Sequence, residues 1–334
     1  MNTLRYIKPD SQDAAFHFAV EEYFMEQAPL SEPIFMIWQA DQCAMLGAYQ
    51  VAEAEIDLKY AKELGIQIVR RQSGGGTIFT DLGTLLYTLI LPEAEDFSMQ
   101  EIVREQLAAP VVRALNKLGI PAKMEGRNDL LADGKKFSGL AQYARKGRVC
   151  THGSLLFDTD LDILTNVLRV DDEKIRSKAI RSVRSRVTNL RDHMDTPVTI
   201  SEFWALLEQT LAEEWDLQAY TLTEVDLEKI DEIYRKKYNN PDWTLGSSPK
   251  FSVHNAKRFP AGRVEVFLDI AGGSIAACRI HGDFLGTYPM HDLEERLLGR
   301  TFHREAVAEA LSGFDLLPYL GEVKAEEFLS CIFE

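Results

Sequence analysis

Hydrophobic positions in the first 92 residues switch between the spacing of helices and that of strands. One set of apolar residues shares a helical face: Phe16, Val20, Tyr23 and Phe24. Their spacing predicts a helix that begins near Ser11. Apolar and β-branched runs predict strands in four places, 34–38, 44–47, 66–71 and 84–91. The last two are separated by Ser73-Gly74-Gly75-Gly76, which breaks the strand pattern.

Terminal signals predict two more helices in the first 120 residues. Residues 53–64 are expected to form one helix, because Gly65 suits a left-handed C-terminal cap. Ser98-Met99-Gln100-Glu101 is a capping box, in which the serine oxygen accepts an early backbone N–H and the glutamate reaches back. It predicts a helix that runs towards Gly119 with a kink at Pro110.

The pattern changes near residue 240. A capping box at Thr199-Ile200-Ser201-Glu202 starts one predicted helix, and another covers about 226–238. The polar segment Asn239-Asn240-Pro241-Asp242 follows and is typical of a domain boundary. Beyond it, alternation on both sides of Ala271-Gly272-Gly273 predicts a hairpin, and two or three short helices follow.

Length and charge narrow the classes of protein. A chain of 334 residues favours two hydrophobic cores, so we expect domains at 1–245 and 248–334. The 37 Lys+Arg against 52 Asp+Glu give a net charge of -15, which argues against a broad nucleic-acid surface. An anionic ligand then requires a local group of Arg and Lys.

The spacing of the cysteines and the length of the apolar runs indicate the cellular compartment of the protein. The four cysteines, Cys43, Cys150, Cys278 and Cys331, lack the CxxC spacing of zinc or redox sites. The amino terminus shows no apolar signal-peptide region. The best apolar run, Thr84 to Pro92, is far shorter than the roughly 20 residues that span a bilayer. We expect a cytoplasmic protein without a membrane partner.

The triple glycine is the sharpest local feature. Gly74-Gly75-Gly76 would let a ligand lie against the main chain, and Arg70 and Arg71 immediately before it would add anion-pairing forks. An exposed hairpin turn is the alternative interpretation. The motif is not a dinucleotide fingerprint, because Phe79 stands where the third glycine is needed. A Walker loop is also excluded, since Gly134-Lys135-Lys136 lacks the hydroxyl residue.

Two basic segments could meet an anion. A turn at Asp133-Gly134 predicts a hairpin whose outgoing strand carries Lys136 beside the small residues Ser138 and Gly139. Residues 174–189 contain six basic side chains and no acid, so this loop could close over a phosphate. A solvated lysine pair and a surface loop paired with carboxylates are the alternatives.

Cys150 and His152 lie two residues apart, and on a strand both would face the same side. No neighbouring residue supplies an acid that would orient the histidine. We therefore expect Cys150 to be buried and inert rather than nucleophilic.

Seven segments occur in a fixed order along the chain: Arg70-Arg71-Gln72-Ser73-Gly74-Gly75-Gly76, Asp81-Leu82-Gly83, Asn128-Asp129, Gly134-Lys135-Lys136-Phe137-Ser138-Gly139-Leu140-Ala141-Gln142, His152-Gly153-Ser154-Leu155-Leu156, Ser182-Val183-Arg184-Ser185-Arg186-Val187-Thr188-Asn189-Leu190 and Gly282-Asp283-Phe284. Taken together, this ordered set resembles the lipoate–protein ligase family. The resemblance covers nearly the whole chain. It implies an α+β fold, with a mixed-sheet catalytic domain like those of biotin and lipoate ligases and a second, smaller α/β domain.

The resemblance also implies a two-step reaction. Lipoate and ATP give lipoyl-adenylate and pyrophosphate, with Mg²⁺ as the cofactor, and the lipoyl group then passes to a lysine of an acceptor. The implied acceptors are lipoyl domains of 2-oxoacid dehydrogenase complexes and the glycine cleavage H protein. The small domain is expected to move during the cycle. Because the first step joins two anions, its catalysis should consist mostly of positioning and charge stabilisation.

Site roles follow from the resemblance. Lys136 matches the family's catalytic lysine, which bridges the lipoyl carboxyl oxygen and the α-phosphate. Residues matched to ATP or lipoyl-adenylate contacts are Arg71, Ser73, Gly74, Gly75, Gly76, Thr77, Ile78, Phe79, Asp129, Lys136 and Arg184. Residues matched to lipoate contacts are Arg71, Gly76, Lys136, His152 and Gly153. Asp129 is also the candidate magnesium contact, and 181–189 matches a loop that covers the adenylate.

Three positions depart from the family pattern and keep alternatives open. Thr80, Thr84 and Ala48 stand where the family usually has histidine, asparagine and arginine. These departures make a non-catalytic lipoate-binding protein conceivable. An ATP-independent octanoyl or lipoyl transferase of the same fold is the other alternative. It would need Cys150 as its nucleophile, since residues 125–129 contain no cysteine.

Overall fold

A computed structural model describes residues 2–28, 32–92, 107–126, 128–169, 186–246 and 252–333. The first described elements are β1 (Asn2–Ile7), α1 (Ala14–Glu26), β2 (Ile34–Trp38), β3 (Cys43–Leu46), α2 (Ala52–Glu55), α3 (Leu58–Leu64), β4 (Gln67–Arg70), β5 (Ile78–Thr80) and β6 (Thr84–Pro92). The next are α4 (Ala109–Lys117), β7 (Ala122–Glu125), β8 (Asp129–Ala132), β9 (Lys135–Arg145), β10 (Arg148–Leu156), α5 (Leu161–Val167), α6 (Ile200–Ala212), β11 (Trp215–Ala219), α7 (Glu224–Ile233) and α8 (Pro241–Thr244). The last are β12 (Val253–Phe259), β13 (Gly262–Ala271), β14 (Ser274–Gly282), α9 (His291–Leu297), α10 (Arg304–Leu311), α11 (Leu317–Leu320) and α12 (Ala325–Phe333).

The largest sheet has eight strands in the order β11-β1-β2-β6-β10-β9-β8-β7. Strand β1 pairs in parallel with β11 and β2, whereas the pairings from β2 through β7 are antiparallel. The sheet is therefore mixed, as the resemblance implied.

Helices cover both faces of this sheet. Along β2, Phe35 and Ile37 pack into a core with α4 and α6, whereas Met36 and Trp38 pack into a second core with α1. Alternate side chains of one strand thus enter different cores, and all five positions of β2 are buried. Because both faces of β2 are buried, its sequence is a continuous hydrophobic run instead of an alternating one.

A three-stranded sheet, β4-β3-β5, lies beside the large one and carries the triple-glycine segment between β4 and β5. The single helix predicted over 53–64 is wrong, because the structure has α2 and α3 with a break at Ile56 and Asp57. Ile56 forms an antiparallel bridge with Leu168, and the Asp57 N–H donates to the Val167 carbonyl over 2.9 Å. These contacts are long-range, so helical periodicity could not reveal the break.

Pro110 lies in the first turn of α4, which ends at Lys117. Residues 107 and 108 are already helical, and the chain before residue 107, on which the kink predicted at Pro110 depends, lies outside the described residues. The capping box at 98–101 lies outside the described residues. The second capping box is confirmed, since Thr199 and Glu202 cap α6 reciprocally.

Residues 252–333 form a separate hydrophobic core around the sheet β12-β13-β14 and helices α9 to α12. The predicted hairpin is confirmed as β13 and β14, with Gly272 and Gly273 both at positive φ in its turn. Strand β12 was not predicted, and four short helices follow instead of two or three. In the described part of the chain, no helix combines the length and apolarity needed to cross a bilayer.

Candidate active site

A cavity of about 270 Å³ lies between the two neighbouring sheets. Its walls come from α1, from strands of both sheets and from the triple-glycine segment. Apolar lining residues include Phe18, Trp38, Met45, Phe79, Leu86 and Leu140. Polar lining residues include Arg71, Thr77, Lys136, Ser138, His152 and Ser154. The cavity can therefore hold a mostly apolar ligand that has a polar group.

Arg71 shapes the triple-glycine segment from inside. Its guanidinium donates to the carbonyls of Gly74 over 2.9 Å, Gly76 over 2.8 Å and Met45 over 2.9 Å, and to Ser73 Oγ over 3.0 Å. Burial lowers the pKa of Arg71 to about 10, which leaves it charged at neutral pH. Because the guanidinium binds the carbonyls of Gly74 and Gly76, it determines how the loop is folded.

Two glycines of this region cannot carry a side chain. A methyl group on Gly47 would approach the Gly75 carbonyl oxygen to 2.1 Å, and Gly75 has a φ of +92°. The Gly75 N–H donates to the Phe284 carbonyl over 2.9 Å, so in this arrangement it is not directed at a ligand. Gly76, by contrast, is exposed. The loop is thus not the exposed hairpin turn that was the alternative interpretation.

Arg70 does not act as an anion-pairing fork, which corrects the sequence prediction. Its side chain donates to the carbonyls of Gly47 and Gln50 over 2.9 and 2.6 Å, and to that of Trp243 over 3.0 Å. The side chain is buried, and burial lowers the pKa of Arg70 to about 10. Arg70 therefore ties the segment after β3 to α8.

Lys136 lies at the edge of the cavity, at the start of β9. The hairpin before it turns through Asp133 at φ 48° and Gly134 at φ 75°, as the sequence predicted. Lys136 Nζ lies 2.7 Å from Asp129 Oδ1, and both side chains are about 40% exposed. The Thr188 N–H donates to the Lys136 carbonyl over 2.9 Å, so the chain after the basic segment is joined to this strand.

Gly139 leaves the space that the Lys136 side chain occupies. A methyl group at Gly139 would approach Lys136 Nζ to 3.1 Å. The small residues that follow Lys136 in the sequence thus leave room for its ammonium group and help to place it.

A buried chain of hydrogen bonds connects the glycine segment to α1. Ser73 Oγ lies 2.6 Å from His152 Nε2, and His152 Nδ1 lies 3.1 Å from Glu21 Oε2. Glu21 also accepts from Thr88 Oγ1 over 2.6 Å. Because a carboxylate only accepts, the network is complete when His152 carries its proton on Nδ1 and accepts the Ser73 hydroxyl at Nε2.

Glu21 is the orienting acid that the sequence did not reveal. It is 131 residues away from His152 and lies on a helix, so no local spacing points to it. The expectation that nothing orients this histidine is therefore wrong. Glu21, Cys150 and His152 form a group with donor atoms within 4.8 Å, but the hydrogen bonds already occupy its histidine and carboxylate.

Replacement of Glu21 by alanine is expected to reduce the free energy of unfolding by about 2–5 kcal/mol, because buried donors on His152 and Thr88 would lose their acceptor. Urea unfolding measures the change. Glu21→Gln, which keeps an acceptor oxygen, should lose less. If the alanine variant were as stable as the original protein, the carboxylate would not be needed to satisfy these donors.

Cys150 is confirmed as buried. It lies on β10 with no exposed surface, and burial raises the pKa of its thiol well above the usual value. A nucleophilic cysteine needs a thiolate and access to the substrate. Cys150 does not line the cavity.

The structure brings most of the predicted site residues to this cavity. Those that line it are Arg71, Gly75, Gly76, Thr77, Ile78, Phe79, Lys136, His152 and Gly153. Ser73 and Gly74 adjoin it through Arg71 and His152, and Asp129 contacts Lys136. Arg184 lies outside the described residues, as does the segment 174–185.

Two of the three departures from the family pattern are buried beside the site. Thr80 is fully buried, and its hydroxyl lacks a hydrogen-bond partner among the described residues. Thr84 Oγ1 lies 2.7 Å from Thr159 Oγ1. Sequence reasoning missed Phe18, Trp38 and Leu285 as lining residues. Phe18 and Trp38 were visible only as parts of a predicted helix and strand.

Comparison with protein families gives two matches. Residues 13–212 match the lipoyl protein ligase A/B catalytic domain, and residues 248–332 match the bacterial lipoate protein ligase C-terminus. The chain is 37% identical over 324 residues to a lipoate–protein ligase of Bacillus subtilis (strain 168), covering 96% of this chain and 97% of the relative. It is 39% identical over 328 residues to a lipoate–protein ligase of Streptococcus pyogenes serotype M5 (strain Manfredo), covering 96% of each.

Solved structures give the same picture. A bi-partite lipoate protein ligase of Thermoplasma acidophilum, studied with its E2 lipoyl domain, is 32% identical with a TM-score of 0.67, covering 75% of this chain and 99% of the other. A lipoate–protein ligase A bound with ATP is 29% identical with a TM-score of 0.63, covering 73% and 98%. A P. falciparum protein in complex with lipoate is 21% identical with a TM-score of 0.76, covering 99% and 97%, which shows the fold over the whole chain.

Proposed function

Because this chain belongs to the lipoate–protein ligase family and is an ATP-dependent lipoate–protein ligase, we propose that its cavity holds the lipoyl chain and that Lys136 activates the carboxylate. The observation that supports this most is the placement of an ammonium group at the edge of a mostly apolar cavity. An apolar chain can occupy the interior, and its carboxylate can reach the charge at the edge.

In the first step, a carboxylate oxygen of lipoate bonds to the α-phosphorus of ATP, and the bond from that phosphorus to the oxygen of pyrophosphate breaks. Both reactants are anions, so positive charge at their meeting point lowers the barrier. Lys136 can donate to an oxygen of each reactant because its ammonium group has three donors. Arg71 contributes by holding the glycine segment in shape, with Gly76, Thr77, Ile78 and Phe79 towards the ligand.

Magnesium is proposed as the cofactor of this step. Asp129 offers a half-exposed carboxylate beside Lys136, and Mg²⁺ in nucleotide sites is typically bound by one or two carboxylates and the phosphates. Asp129 fits that donor set, and the ion would neutralise phosphate charge. Apart from this role, Asp129 holds the Lys136 ammonium group at the cavity edge.

In the second step, the neutral amine of an acceptor lysine bonds to the acyl carbon, the bond from that carbon to the phosphate oxygen of AMP breaks, and the nitrogen releases a proton as AMP leaves. We propose lipoyl domains of 2-oxoacid dehydrogenase complexes and the glycine cleavage H protein as acceptors, in the cytoplasm. The T. acidophilum ligase that was studied with its E2 lipoyl domain supports this class of partner. We also propose that residues 1–245 carry the chemistry and that residues 248–334 form an accessory domain, with Arg184 and its loop covering the adenylate.

One assay tests the proposal. A candidate acceptor domain is incubated with the protein, ATP and lipoate, and mass spectrometry measures the added lipoyl group, with each component omitted in turn. Modification only when all components are present is the expected result. Modification without ATP, from an acyl carrier, would favour the transferase instead.

Cys150→Ala distinguishes the ligase from that transferase in a second way. Because Cys150 is buried and outside the cavity, we expect near-original kcat/KM for ATP-dependent lipoylation and a loss of about 1 kcal/mol in stability. Steady-state kinetics and urea unfolding measure the two quantities. A folded variant that no longer transfers the lipoyl group would point to the thiol as nucleophile.

A further inference from the structure

The hairpin that presents Lys136 contains a bulge. The pairing register of β8 and β9 shifts between Leu130 and Leu131, so that Phe137 is an extra residue in β9. In a regular strand, Lys136 and Gly139 would lie on opposite faces, because they are three positions apart. A methyl group on Gly139 would instead lie 3.1 Å from Lys136 Nζ, so the two share a face. The bulge therefore turns the lysine towards the cavity, and it also disrupts the local pairing of the strand.

A second segment of the chain supports the bulged strand. The Thr188 N–H donates to the Lys136 carbonyl over 2.9 Å, and Val187 forms a parallel bridge with Lys136. Val187 also lines the cavity. The position of Lys136 therefore depends on residues 187–188, which lie about 50 positions later in the sequence.

His193 joins this segment to the tip of the hairpin. Its Nδ1 lies 2.9 Å from Asp133 Oδ2, and its Nε2 lies 2.9 Å from Thr188 Oγ1. Because a carboxylate only accepts, the neutral ring donates from Nδ1 to Asp133 and accepts the Thr188 hydroxyl at Nε2. The side chain of His193 is only 11% exposed, so packing holds the ring between its two partners.

The supporting segment is itself fixed to another part of the domain. The Thr159 N–H donates to Asn189 Oδ1 over 3.0 Å, and Asn189 Nδ2 donates to the Thr159 carbonyl over 2.9 Å. Both residues are buried. This pair fixes the segment to the turn after β10, and His193 connects the fixed segment to the turn that precedes Lys136.

From these contacts we infer that His193 is a positioning residue for adenylate formation. It holds the bulged hairpin against residues 187–188 and so keeps the Lys136 ammonium group at the edge of the cavity. His193 does not line the cavity, and it acts through Lys136. The inference rests on the proposed function, because it assumes that Lys136 activates the carboxylate.

His193→Ala tests the inference. Pyrophosphate release is measured with lipoate, ATP and Mg²⁺ for the full-length protein. A shift of a catalytic group by about 1 Å can cost about a hundredfold, and the Thr188 backbone contact remains, so kcat should fall about tenfold. KM for lipoate should change by less than about twofold, because the apolar walls still bind the chain. His291→Ala is the matched control. It removes a histidine that also pairs with a carboxylate, that of Glu295, but is 67% exposed in the small domain, and both constants should stay unchanged.

Asp133→Gly tests whether the two side chains act as one link. Glycine suits the positive φ of this position, so the turn can form without the carboxylate. This variant should also lower kcat by up to about tenfold, and the double variant with His193→Ala should lose no more than His193→Ala alone. Losses that multiply in the double variant would show that the two residues act independently, which would overturn the link.

The outcomes separate this inference from the function itself. If the original protein releases no pyrophosphate with lipoate, the proposed function fails. If it does, and folded His193→Ala keeps the original kcat or loses only in KM, the positioning role is overturned while the ligase stands. Thermal unfolding checks each variant. If His193→Ala unfolds, Asp133→Gly keeps the test decisive, because the Asp133 side chain is 64% exposed and unchanged kcat there would also overturn the inference.

Discussion

Lys136→Ala is expected to lower lipoate-dependent pyrophosphate release by about a thousandfold or more, while the protein stays folded. The ammonium group is the positive charge that we place between the two anions of the first step, and positioned charges in such sites contribute several kcal/mol to catalysis. The side chain is about 40% exposed and, within the described residues, forms an ion pair with half-exposed Asp129, so its removal should cost little stability. Pyrophosphate release and circular dichroism measure the two effects.

Lys135→Ala is the matched control, because Lys135 precedes Lys136 on the same strand but is exposed and does not line the cavity. It should retain near-original activity. Undiminished pyrophosphate release by folded Lys136→Ala would contradict the assignment of the catalytic residue, whatever the control shows.

Local signals predicted the hairpin that presents Lys136. Asp133 and Gly134 adopt positive φ, and these residue types tolerate that conformation better than others. These two residues were therefore enough to predict the turn. The capping box at Thr199 is a similar case, because its reciprocal hydrogen bonds join residues three apart. The sequence alone was sufficient to predict these two features, because the interactions that form each of them involve residues only a few positions apart.

Long-range contacts account for what the sequence did not show. Glu21 orients His152 from a helix 131 residues earlier. Contacts with Val167 and Leu168 break the predicted helix at Ile56 and Asp57. Leu285 lines the cavity next to the point where the Phe284 carbonyl accepts the Gly75 N–H. Each depends on how distant segments pack, which hydrophobic periodicity does not determine.

The role of Arg71 combines both kinds of information. Its position before the glycines suggested a fork for anions, and the structure shows the fork bound to backbone carbonyls of the same segment. A buried guanidinium in this arrangement acts on the ligand through the loop that it folds. Arg71 is therefore both a cavity-lining residue and the support of its neighbours.

Arg71→Lys is accordingly expected to lower kcat/KM for lipoate about a hundredfold and to cost about 2–4 kcal/mol of stability. A lysine has one compact donor group, which cannot reach the carbonyls of Met45 and Gly74 and Ser73 Oγ together, and each buried acceptor left unpaired costs about 1–3 kcal/mol. Displacement of the loop by about 1 Å is enough for the kinetic loss. Steady-state kinetics and urea unfolding measure the two effects.

Arg235→Lys is the matched control. It makes the same conservative change at a side chain that is 70% exposed and pairs with Asp231 one helical turn earlier. That variant should match the original protein in both measurements, because its pairing is at the surface. Arg71→Lys keeps the positive charge, so a large loss shows that the planar fork and its carbonyl partners are required. Original kinetics and stability in Arg71→Lys would mean that charge alone suffices and that the glycine segment holds its shape without the guanidinium.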